Sequence, residues 1–151
     1  MVNDRKARIS GSVTGINRFT VHQFSTNHSP LLTMANNPPV ELRNATRGAT
    51  LASRCRVADS YFPRLIGLMG AKTLEAGEGL LILPCNSIHT HFMRFPIDVV
   101  YVSRENIVVA LDEAMAPWRF GRIRRGSRYV VELPAGTIAA TGTEVGDTLV
   151  R

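Results

Sequence analysis

Cysteine and tryptophan are scarce in these 151 residues: two cysteines, Cys55 and Cys85, and one tryptophan, Trp118. The cysteines lack a CxxC spacing, which excludes a zinc knuckle and a thioredoxin-like redox motif. Two reduced, mostly buried thiols are therefore expected, and a disulfide would require export. No apolar run approaches the roughly 18 to 20 residues of a membrane-spanning helix. The N-terminus lacks the apolar core of a secretory signal. These absences place the expected location in the cytoplasm, with an organellar transit sequence as the alternative. Acid is short as well, with 12 Asp and Glu against 18 Lys and Arg. That net charge of +6 is uneven: residues 1–33 carry Arg5, Lys6, Arg8 and Arg18 against Asp4 alone, and "WRFGRIRRGSR" at 118–128 holds five arginines and no acid. A basic tail and one basic loop argue for nucleic acid much less than a uniformly basic domain would.

What is present falls into two textures. Residues 1–38 are rich in Ser, Thr, Asn and Gly and show no sustained period. They read as an extension, disordered or not native, with little apolar surface to offset ordering. It reads either as a transit sequence or as residues ahead of a true start at Met34; "MANNPPVELRN" favours the second. From Val40 a single domain is expected to reach residue 151. "VELRNATRGATLASRCRVAD" offers two strands around a turn, with Cys55 among the apolar set. Phe62, Leu65, Ile66 and Met69 recur at i, i+3, i+4 and i+7, predicting an amphipathic helix over about 60–69, stopped by Gly70. "GLLILP", "SIHTHFMRFPID" and "PIDVVYVSRENIVVAL" read as further strands, the last a hairpin turning at 103–106. "RYVVELPAG" returns as a strand with Tyr129, Val131 and Leu133 on one face. A helical turn near 137–141 and a final short strand in "VGDTLV" follow. The fold class predicted is mainly β (α+β), a small barrel or sandwich with one good helix.

The chemistry concentrates in residues 87–98. On a strand, His89, His91 and Met93 would share one face and Ile88, Thr90 and Phe92 the other. Two imidazoles and a thioether suit copper(I) or, less well, zinc, which would want Cys85 or Asp98 as a fourth ligand. Against this, one strand cannot close a coordination sphere, and both histidines could simply pack. His89 with Asp98 makes a dyad in which the carboxylate fixes the imidazole for acid–base work. Asp98 could instead pair with Arg94 to hold the "MRFPID" corner. Cys85 and His89 could act as thiol and base only if the chain bends, because i,i+4 on a strand spans about 13 Å. The arginines from Arg119 to Arg128 could clamp a phosphate or carboxylate, with Trp118 and Phe120 stacking on a base, or simply lie in water. The glycines at 67, 70, 77 and 79 and the "ELPAG" turn read as structural.

"RLIGLMG" at 64–70, "GEGLLI" at 77–82, "SIHTHFMRFPIDVVYV" at 87–102, "PWR" at 117–119 and "ELPAGT" with "GTEVGD" at 132–147 occur in order. Together they resemble domain-of-unknown-function family 192 from about Leu42 to Leu149. The resemblance implies a small, mostly β, single-domain fold with no established activity, often in bacteria and sometimes behind an export signal. It also implies a histidine at 89, a methionine at 93 and an acid at 98, with an aromatic more usual in the place of His91.

The reading that results is a binding module for a small polar or anionic ligand or a protein partner. Its pocket would be lined by His89, Met93, Arg94, Asp98, Trp118 and Arg119. The alternatives are a small enzyme using His89 with Asp98 and a copper or zinc site at His89, His91 and Met93. Nucleic acid at Arg119–Arg128 is the least favoured partner.

Overall fold

The turn-prone "NATRG" joins two antiparallel strands, β1 (Val40–Asn44) and β2 (Ala49–Ala58), with Gly48 at φ 67°. The computed structural model describes residues 38–151. The expectations for the extension and for Met34 lie outside the described residues. Register shifts in the β1–β2 pairing place both Leu51 and Ala52 in the core, where strict alternation would bury only one. Cys55 is buried there as expected, and Cys85 is also a free thiol.

The helix α1 (Tyr61–Ile66) is shorter than predicted and ends at Gly67 rather than Gly70. Gly67 adopts φ 49° and ψ −126°, which leaves the helical region and which only glycine takes readily. None of the α1 residues is buried. Phe62 and Leu65, expected on the inward face, stand exposed, whereas Leu68, after the helix, enters the core. A helix of six residues is too short to lay a continuous apolar face on a sheet.

The crossover containing α1 leads to β3 (Glu78–Ile82), parallel to β2. The "IDVVYVSRENIVVAL" hairpin forms as expected from β4 (Ile97–Val102) and β5 (Val108–Met115), turning through Asn106 at φ 63°. Between β4 and β3 runs β6 (Tyr129–Pro134), antiparallel to both. The helical turn forms as α2 (Thr137–Thr141), and β7 (Leu149–Val150) pairs with β1. The sheet order is β5-β4-β6-β3-β2-β1-β7. Its two edges meet where Ile107 bridges Thr148, with Val108 N–H donating to Asp147 O and Leu149 N–H to Asn106 O. One sheet therefore curls into a half-barrel.

Strand alternation splits the interior in two. Leu81, Val100, Val102, Val131 and Leu133 point inward with Leu42, Cys55, Ile138 and Leu149. Leu80, Ile82, Val99, Tyr101 and Val130 point outward and are covered by Leu68, Ala71, Leu74, Ile88 and Met93. The inner core is lined by strands, the outer one roofed by loops. At the closing end Asn44 Nδ2 donates to Asp147 (2.8 Å) and Thr143 (3.1 Å), and Arg47 pairs with Asp147. Hydrogen bonds from the Asn44 amide first, then from the Glu144 backbone and Arg47, hold the Asp147 carboxyl below the usual carboxylate range.

Candidate functional site

The histidine stretch is not a strand. Residues 83–96 form a loop whose only bridge pairs His89 with Phe120. Pro84 and Pro96, which have no N–H to donate to a ladder, bracket it. Thr90 anchors it: its hydroxyl donates to Ala116 O (2.7 Å) and accepts from Arg119 N–H (2.9 Å), while its amide donates to Arg119 O (2.9 Å). Ser87 Oγ donates to Gly121 O (3.0 Å), and Gly121 and Arg124 amides return to Ile88 and Asn86. Residues 86–90 and 118–124 are thus zipped together. Gly121 is required there, because a Cβ would lie 2.9 Å from Tyr101 Oη and 3.0 Å from Ile88 O.

This geometry corrects the predicted face of His89, His91 and Met93. Phe92 at φ 63° interrupts the alternation, so Met93 turns into the outer core while Phe92 stands exposed. His89 and His91 remain neighbours, ring centroids 5.4 Å apart, without the thioether. Among the described residues no three of His, Cys, Asp and Glu are grouped to hold a metal ion.

The His89–Asp98 dyad is not formed either. Asp98 lies on β4 with the inward set, on the opposite side of the sheet from the loop carrying His89. Its Oδ1 accepts from Ala114 N–H (2.9 Å) and its Oδ2 from Ile138 N–H (2.8 Å), at the start of α2. Both oxygens are occupied by backbone amides, and neither Arg94 nor His89 holds them. Met93, Asp98 and Trp118 do not line the cavity that His89 borders.

The acid on the histidine side is Glu132. It lies on β6 between Leu80 and Val99 of the flanking strands, facing outward into the roofed core. It is 2% exposed, and its Oε2 has no hydrogen-bond partner. Burial pushes its carboxyl up to about 8, because the charged form is cut off from water, and the Arg56 charge opposes this only in part. His89 Nδ1 is likewise buried without a partner. Both residues line one cavity of about 70 Å³, together with Arg64, Cys85 and Ser87. Its wall includes "RLIGLM" from residues 64–69, bent over the carboxyl at Gly67, whose Cβ position is 3.9 Å from Glu132 Oε2. Cys85 and His89 both border the cavity. The Cys85 thiol donates to Ser87 O (3.0 Å) and is pushed up by burial, so it rests protonated.

The arginine loop divides. Arg124 pairs with Asp112, which also accepts from Tyr101 Oη (2.9 Å), and lies over the Tyr101 ring. Arg119, Arg122, Arg125 and Arg128 are exposed.

Glu132 was missed because "ELPAG" reads as a strand end. The signal was available: with Tyr129, Val131 and Leu133 facing one way, the intervening Glu132 must face the other. On a sheet apolar on both sides that buries a charge.

The DUF192 family model, described as "Uncharacterized ACR", matches residues 42–150. A UPF0127 protein of Pyrococcus furiosus is 37% identical over 111 residues, covering 70% of this chain and 93% of its own. One of Thermococcus sibiricus is 35% identical over 113 residues, 72% of each chain. These relatives are archaeal, so the bacterial association implied by the resemblance is not what they display. A crystal structure of a protein of unknown function from Novosphingobium aromaticivorans superposes with a TM-score of 0.66 at 22% identity, covering 75% of this chain and 84% of that one. That likeness is one of fold.

Proposed function

This chain belongs to the DUF192 family, and from its geometry we propose that it is a binding module whose cavity takes a small oxyanion, a carboxylate or phosphate group, against Arg64, His89 and Glu132. The observation that carries this reading is the pair of buried, unpartnered polar atoms, Glu132 Oε2 and His89 Nδ1, bordering one cavity. Neither atom finds a hydrogen-bond partner within the protein, and a buried hydrogen bond left unmade costs about 1–3 kcal/mol, so a group that completes both is favoured there. With its carboxyl titrating near 8, Glu132 is mostly protonated at neutral pH and donates to an anion rather than repelling it. Arg64 supplies the cation. A cavity of about 70 Å³ admits a carboxylate-sized group and excludes a ligand filling the roughly 300 Å³ or more of a drug-sized site.

The test is a heteronuclear NMR titration of the full chain with acetate and with phosphate at pH 6 and pH 9. Saturable shifts centred on residues 64–69 and 85–89 are expected at pH 6, weakened at least about tenfold at pH 9. Glu132→Gln, which keeps a donor, should bind at both pH values. Absence of saturable shifts with either anion would overturn the reading.

A catalytic reading uses the same cavity, with Glu132 in the place first given to Asp98. A carboxyl titrating near neutrality beside a histidine suits general acid–base work. Binding that survives His89→Ala while a turnover is lost would favour it.

A further inference from the structure

Seven of the large apolar side chains exposed among the described residues stand on the two segments flanking the cavity: Tyr61, Phe62 and Leu65 on α1, and Phe92, Trp118, Phe120 and Ile123 opposite. The segments touch where Gly70 N–H donates to Phe92 O. On the second, Phe92 and Trp118 rings lie 4.9 Å apart, and His91 packs on Trp118 (5.7 Å) and Phe120 (4.3 Å). Phe120 is 80% exposed, and Ile123, on the same segment, 71%. Phe92 and Trp118 both sit at φ 63°, a left-handed conformation costing a bulky residue about 1–2 kcal/mol. Two bulky aromatics held exposed at positive φ mark a surface shaped for contact.

The charge on the second segment has one sign. Residues 86–96 contain Arg94 and no acid, and residues 116–128 contain five arginines and no acid. Arg94, Arg119, Arg122 and Arg125 are exposed. Protruding apolar tips with a cationic rim match an interface whose surface is anionic and whose interior is apolar. Single-stranded nucleic acid fits less well. Its bases need open ring faces, whereas these rings pack edge-on or tilted against one another, and Ile123 has no π-face to offer.

We propose that this surface docks the protein peripherally on anionic lipid bilayers, with Phe92, Trp118 and Phe120 entering the headgroup region and Arg94, Arg119 and Arg122 meeting lipid phosphates. No helix among the described residues is long and apolar enough to cross a membrane, and this contact requires none. It rests on exposure, ring packing and charge, independently of the cavity's ligand.

Trp118 is the chain's only tryptophan, so its fluorescence reports the contact directly. The full chain would be titrated with vesicles of phosphatidylcholine alone and of phosphatidylcholine with 30% phosphatidylglycerol, with co-sedimentation in parallel. A blue shift and pelleting with the anionic vesicles only, weakened in 0.5 M salt, are expected. Phe120→Ser should weaken binding about tenfold or more by removing an inserted ring. Arg119→Glu with Arg122→Glu should weaken it by a similar factor, at roughly fivefold per cation lost. All three side chains are exposed, and far-UV circular dichroism confirms that each variant is folded. No shift and no pelleting with anionic vesicles would overturn the proposal. So would binding to a poly(dT) oligonucleotide with quenching and no blue shift while vesicles leave Trp118 unchanged.

Discussion

Two carboxylates are buried on adjacent strands of one sheet, and their circumstances are opposite. Asp98 on β4 faces the inner core, and each of its oxygens receives a backbone N–H, from Ala114 and from Ile138. Glu132 on β6 faces the outer core, next to Val99, with an oxygen, Oε2, that no protein group hydrogen-bonds. The inner side is closed by regular strands and by α2, so its polar groups find backbone partners. The outer side is roofed by loops that leave a cavity over the acid. A fully satisfied acid belongs to the architecture, and an unsatisfied one facing a cavity is available for chemistry. The largest expected effect follows from this contrast. Asp98→Ala strands two amide donors and should cost about 3–5 kcal/mol in chemical denaturation. Glu132→Leu, which removes a buried carboxyl whose Oε2 no protein group hydrogen-bonds, should be neutral or stabilise by about 1–3 kcal/mol. Reversal of that order would abolish the distinction.

The pH dependence separates the two kinds of acid next. The Glu132 carboxyl titrates near 8 in the folded protein, against 4.5 as its ordinary value. Between those values the folded state holds a proton that the unfolded state has released. Stability is therefore fully present below about 4.5 and falls as pH rises toward 8, by at most about 1.4 kcal/mol per pH unit. Asp147 has the opposite sign: its carboxyl is held low, so its contribution is present above the ordinary carboxylate range and lost as pH falls through the folded value. Denaturation midpoints measured from pH 3 to 9 should pass through a maximum on the acid side of neutrality. Glu132→Gln should flatten the alkaline limb and leave the acid limb unchanged.

Gly67→Ala sharpens the comparison with a smaller effect. The added Cβ meets no hard contact, only Glu132 Oε2 at 3.9 Å, yet φ 49° with ψ −126° is unfavourable for alanine. A loss of about 1–3 kcal/mol is expected, together with a lower titration point for Glu132 as the roof loosens. The titration is read by NMR of the carboxyl carbon. An unchanged titration would mean that residues 67–70 do not seal the acid from water.

How much of this was legible depends on how local its cause is. The hairpins at "NATRG" and at 103–106, the 137–141 turn and the inward face of Tyr129, Val131 and Leu133 are set by neighbouring residues, and all were readable. The strand read into 87–98 failed because alternation is only a potential. Thr90 commits its backbone and hydroxyl to residues 116–119, far along the chain, and Phe92 reverses the phase. The dyad of His89 and Asp98 failed with it, since nine positions of sequence separation proved to lie on opposite sides of a sheet. The cavity was invisible for a related reason: Arg64, His89 and Glu132 come from a crossover, a loop and a central strand. Only Glu132, a charge inside an apolar strand, carried a local warning.

The smallest predicted effect falls where periodicity misled most. Phe62 and Leu65 repeat at the spacing of an inward helical face, and in that role truncating either would cost about 2–5 kcal/mol. In the fold α1 ends at Ile66, and these side chains are 69% and 54% exposed. Phe62→Ser and Leu65→Ser should therefore change unfolding free energy by no more than about 0.5 kcal/mol in the monomer. A stretch with a core-like pattern and no core beneath it presents its apolar side chains outward. If both variants leave denaturation midpoints in place yet raise the solubility limit, the helix is an outward contact surface that only resembles an inward one. A loss of several kcal/mol would instead place α1 on the sheet and return the sequence periodicity to its ordinary meaning.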